Sequence, residues 1–78
     1  MKFRKRPVEI EAVQFTGTGT DPVGVWRRED DLSPYVVTVH GQRCYIVPGD
    51  WIIPEPDGCH FYPCKPDIFA ATYEEVAV

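Results

Sequence analysis

The chain predicts a small, mainly β domain with a minor helical part, and three observations lead there. Short runs rich in β-branched and aromatic residues recur through the second half, among them Tyr35–His40 and Trp51–Ile53. Eight prolines and six glycines divide these runs from one another, as expected where strands are short and turns frequent. At 78 residues the chain holds one domain, residues 1–78, and no apolar run approaches the ~20 residues of a membrane span. The architecture expected is a small antiparallel sheet or partial barrel of about five short strands with one or two short helices.

The elements follow in order. Val8, Ile10 and Ala12 alternate with Glu9 and Glu11, the pattern of a half-buried strand reaching Phe15. Gly17-Thr18-Gly19-Thr20-Asp21-Pro22 ends it with turn formers. Val23 to Pro34 reads as a short helix or an ordered loop, with Gly24 weakening a helix and Pro34 ending it. Tyr35–His40 is a strand, Gly41-Gln42 a tight turn, and Arg43–Val47 the returning partner. Pro48-Gly49-Asp50 fits a type II-like turn, with proline fixing φ and glycine taking φ > 0. Trp51–Ile53 and Cys59–Tyr62 are the next strands, separated by Pro54-Glu55-Pro56-Asp57-Gly58 and closed by Pro63. Pro66 suits the first turn of a helix through Ala71, with Asp67 favourable to its dipole. Thr72–Val76 reads as extended and able to pair beside the first strand.

Composition narrows the function. Hydrophobic residues at 44% and charged residues at 26% describe a folded soluble domain, not a disordered tract. The net charge of −4 is unevenly spread. Lys2, Arg4, Lys5 and Arg6 make the start basic and leave an acidic body, which argues against a general duplex nucleic-acid binder. The basic cluster either clamps one compact anion or trails as a solvated terminus. It leads into Pro7-Val8-Glu9 and not into the apolar stretch of a signal peptide, so a cytoplasmic protein is expected.

Three cysteines, Cys44, Cys59 and Cys64, are an odd set and read as free thiols in a reducing compartment. Together with His60 they contain enough ligand types for zinc, but Cys59 and Cys64 have no second close pair. His60 beside Cys59 in a strand would also point to the opposite face. No metal and no cofactor are therefore expected. Catalysis lacks a residue set as well: there is no nucleophile elbow or phosphate loop, and Gly17-Thr18-Gly19-Thr20 is a fragment of a glycine-rich pattern. Cys64 beside Lys65 has no histidine–acid partner in sequence, so no enzyme is expected.

The order of certain blocks carries a resemblance. Lys2-Phe3-Arg4-Lys5-Arg6-Pro7-Val8-Glu9-Ile10-Glu11-Ala12-Val13-Gln14-Phe15 opens the chain. Pro48-Gly49-Asp50-Trp51-Ile52-Ile53, Gly58, Phe61-Tyr62-Pro63-Cys64-Lys65-Pro66-Asp67-Ile68-Phe69 and Thr72-Tyr73-Glu74 follow. The chain resembles a widespread family of small phage and prophage proteins over roughly half its length, and departs from it between Asp21 and Pro34 and at Pro54–Asp57. The resemblance implies a phage accessory protein, acting in the cytoplasm of an infected bacterial host. Compact phage proteins often counter host defence, and one class, oligomeric sponges, sequesters cyclic nucleotides used as immune signals.

Such a ligand needs cations for its phosphates and flat faces for its bases. Arg4, Lys5, Arg6, Arg43 and Lys65 are the candidate phosphate contacts, and Trp51, Tyr62 and Trp26 the candidate stacking platforms. A homo-oligomer is expected because a core this small barely offsets chain entropy. The function expected is sequestration without cleavage. The alternatives are direct inhibition of a host protein, or a structural or replication role in the phage.

Overall fold

A computed structural model describes residues 1–3 and 9–76. The candidate contacts Arg4, Lys5 and Arg6, with Pro7 and Val8 of the opening alternation, lie outside the described residues. The elements are β1 (Val13–Gln14), β2 (Trp26–Arg27), β3 (Pro34–Val37), β4 (Arg43–Tyr45), β5 (Trp51–Pro54), β6 (Phe61–Cys64) and α1 (Pro66–Thr72). The strands form two antiparallel three-stranded sheets, ordered β1-β5-β6 and β2-β3-β4. The fold is thus mainly β with one short helix, and neither sheet closes into a barrel.

The core draws on both sheets. Phe15, Val36, Ile46 and Ile52 are buried in one cluster, with Val25, Cys44 and Phe61 packed against it. On the opposite face of β5 and β6, register places Trp51 against Cys64 and Ile53 against Tyr62. There α1 supplies the cover: Phe69 stacks on Trp51 with ring centroids 4.2 Å apart, and Tyr73 on Phe69 at 4.9 Å. One sheet is therefore covered on both sides, by the main core and by an aromatic stack.

The Pro48-Gly49 turn pins the first strand segment to that sheet. Gly49 takes φ +101, as a type II-like turn requires, and Asp50 N–H donates to the Val47 carbonyl at 3.1 Å. Gly49 N–H also donates to the Phe15 carbonyl, and Phe15 N–H to the Asp50 carbonyl, each at 2.8 Å. Asp50 is buried, and its Oδ2 accepts the Val47 N–H at 3.1 Å.

Several boundaries differ from expectation for identifiable reasons. Val23 to Pro34 forms no helix: Pro22–Val25 is a turn, and β2 pairs with β3, Trp26 opposite Tyr35. Pro34 opens β3 instead of ending a helix, a position where its missing N–H costs the ladder nothing. Pro63 lies inside β6 opposite Ile52, tolerated because β6 is an edge strand. Cys59 and His60 precede β6 as part of the loop, and residues 73–76 join no strand pairing among the described residues. Among the described residues no helix is long and apolar enough to cross a membrane.

Candidate ligand-binding face

The β2-β3-β4 sheet turns Val36 and Cys44 toward the core. Its other face is consequently set by the residues between them in register. Trp26 lies opposite Tyr35, and Tyr35 opposite Tyr45, so three aromatic residues form one row across three strands. The Tyr35 and Tyr45 ring centroids are 5.6 Å apart and tilted by 55°. Arg43, two residues before Tyr45 on the same face, holds its guanidinium 4.8 Å from the Tyr35 ring centroid. Arg28 stands 5.9 Å from the Tyr45 ring.

Exposure divides this row. Tyr35 is buried, and the guanidinium of Arg43 lies over its ring. Trp26 remains 61% exposed and Tyr45 49%, so two large π-faces and two guanidinium groups meet solvent together. Beside them opens a cleft of about 580 Å³, lined by Phe15, Arg27, Arg28, Ser33, Tyr45 and Pro48 among others. That is within the ordinary range for a small-molecule site.

The cations differ in how they are held. Arg27 bridges Asp21 through two bonds of 2.9 and 2.8 Å and donates a third to the Leu32 carbonyl at 3.1 Å. Hydrogen bonding from Arg27 lowers the Asp21 carboxyl from its ordinary range. Arg28 makes the same two-pronged contact with Asp30, at 3.0 and 2.7 Å. Both guanidinium groups line the cleft, but each is already paired with a carboxylate, and Arg28 Nε also lies 3.7 Å from Asp31 Oδ1. Arg43 has no carboxylate within salt-bridge distance among the described residues. It is the more available phosphate contact.

The other predicted contacts collect elsewhere, around α1. Trp51 has one face against Phe69, and Tyr62 shares a hydrogen bond of 3.3 Å with the Tyr73 hydroxyl. Burial, with that bond second, pushes the Tyr62 phenol up to about 12. Lys65 directs its ammonium to both carboxylate oxygens of Asp50, at 3.1 and 3.3 Å, which neutralises a buried charge. Trp51, Tyr62 and Lys65 are thus brought to one neighbourhood, and each has a structural partner there. Arg43 and Trp26 belong to the other sheet.

Tyr45 and Arg28 went unpredicted as site residues. Their signal was the hairpin register: a turn centred on His40 sets Tyr35 against Tyr45, whereas a turn at Gly41-Gln42 would have set Val36 against Val47. Comparison with known protein families, with curated proteins and with solved structures returned no match.

Proposed function

We propose that the protein binds a cyclic nucleotide on the outer face of the β2-β3-β4 sheet and sequesters it without turnover, as a phage accessory protein that blunts a host immune signal. The observation that carries the reading is the row Trp26–Tyr35–Tyr45 with Arg43 and Arg28 over its rings. Exposed aromatic faces stack bases, and the Arg43 guanidinium fork takes phosphate oxygens. The phage origin rests on the sequence resemblance. Sequestration is favoured over turnover by the state of the thiol–imidazole pair in the loop before β6. Cys59 and Asp57 both face the same His60 nitrogen, Nδ1, so the imidazole is not relayed between them as in a triad.

Native mass spectrometry of the protein with a panel of cyclic di- and trinucleotides and cyclic ADP-ribose isomers tests this. One ligand is expected to be retained and to be released intact on heating. Tyr45→Ala is expected to weaken it by about 1–3 kcal/mol, the worth of one base stack, and Arg43→Ala to weaken it further at low salt. Failure to retain any member of the panel overturns the reading, and release of a changed product replaces it with an enzyme.

A further inference from the structure

The loop from β5 to β6 brings Asp57, Cys59 and His60 together, with one donor atom from each inside a 4.8 Å span. We propose that this loop binds a zinc-class divalent cation through the Asp57 carboxylate, the Cys59 thiolate and the His60 imidazole. The objection raised by sequence, that adjacent residues of a strand point apart, does not hold here. Cys59 and His60 precede β6, and the turn directs both side chains to one point.

The sulfur–nitrogen spacing fits the cation. Cys59 Sγ lies 3.3 Å from His60 Nδ1. Tetrahedral zinc with bonds of about 2.3 Å to sulfur and about 2.0 Å to nitrogen holds those two atoms about 3.5 Å apart. The third ligand contacts His60 Nδ1 directly, a hydrogen bond that the cation would replace. Asp57 Oδ1 accepts the N–H groups of Cys59 and His60, both at 3.0 Å, while Oδ2 faces His60 Nδ1. Hydrogen-bonded support of a ligating carboxylate is what outer-shell contacts provide in metal sites. Glu55, in the same loop, is engaged instead by the Val39 N–H. The loop is closed below the cluster by Glu55 N–H to the His60 carbonyl at 2.8 Å and Gly58 N–H to the Glu55 carbonyl at 3.0 Å.

Proton balance follows from ordinary side-chain chemistry. A carboxylate is ionised at neutral pH and a thiol is protonated. Forming the sulfur–metal bond therefore releases the thiol proton to solvent, and the imidazole, bound through Nδ1, carries its proton on Nε2. A thiolate with an imidazole selects zinc-like ions over magnesium or calcium. Three protein ligands leave the fourth tetrahedral position to water.

The test is titration of the reduced full-length protein with cobalt(II) as a spectroscopic probe, followed by zinc competition. One equivalent of cobalt is expected to give intense tetrahedral bands with a thiolate charge-transfer band, both erased by zinc. Cys59→Ser is expected to abolish the charge-transfer band, and Cys64→Ser to keep it. His60→Ala should weaken zinc binding by more than the ~10–100-fold typical of losing an outer-shell partner. Because Cys59 is exposed, the serine variant tests ligation without unfolding the chain. The proposal is overturned by a weak octahedral cobalt spectrum, or by a charge-transfer band that survives Cys59→Ser.

Discussion

Tyr62 shows how one side chain ties two elements together and leaves a measurable trace. It projects from β6 toward α1, where its hydroxyl meets that of Tyr73. Its phenol moves from an ordinary value near 10.0 up to about 12, mainly through burial. Folding thus favours the protonated phenol. Below the unfolded value both states hold the proton and nothing changes with pH. Above it the unfolded chain loses its proton first, so stability falls as pH rises from 10.0 to about 12 and levels off beyond. Urea midpoints measured across that range should drop for the native protein and drop less for Tyr62→Phe, which keeps the ring and removes the titrating group. Equal slopes in both proteins would show that Tyr62 is not the group responsible. The same residue scale explains Lys65. A lysine beside a proline-initiated helix reads in sequence as an anion contact, but only the fold reveals that a buried Asp50 lies across from it. A side chain's charge is legible in sequence, and its partner is not when fifteen residues separate them.

At the scale of elements, the connection before β2 carries the tightest constraint. Gly24 adopts φ +95, and a Cβ built there would lie 2.3 Å from the ring of Phe61, which packs against the core. Gly24→Ala therefore adds positive-φ strain to a collision with a ring that cannot retreat without disturbing the core. A loss of at least about 2 kcal/mol is expected, combining the usual cost of overpacking with that of a left-handed alanine. Chemical denaturation measures it, and a loss under half that size would mean Phe61 moves aside freely. Sequence treated Gly24 only as a helix weakener, because the ring that makes it obligatory lies far along the chain. Local signals did better where local chemistry decides: the Pro48-Gly49 turn and the start of α1 at Pro66 both fall where propensity places them. Strand ends were less legible. The opening alternation extends from Val8, yet among the described residues β1 pairs only at Val13 and Gln14, opposite Ile52 and Trp51. Pairing length there is set by a partner nearly forty residues away, which alternation cannot express.

For the whole molecule, the balance of buried and exposed apolar surface argues for self-association. Among the described residues six hydrophobic ones are buried: Phe15, Tyr35, Val36, Ile46, Ile52 and Ile53. Against them Trp26 is 61% exposed, in one row with the half-exposed Tyr45. Domains of this size gain little net stability from a single core, and covering such a surface with a second copy is a common remedy. Apposing two β2-β3-β4 faces would also enclose the aromatic row with cations from both subunits, as the proposed sequestration requires. The expected behaviour is a thermal midpoint that rises with protein concentration, because association stabilises only the folded chain. Trp26→Lys separates this from folding. An exposed site should tolerate the change within about 0.5 kcal/mol in a dilute monomer, yet a charge there opposes burial against a partner. Sedimentation equilibrium should then find an oligomer for the native protein and a monomer for the variant. A native protein that sediments as a monomer at every concentration, with an unvarying midpoint, would leave the face open to solvent and require one chain alone to hold the proposed ligand.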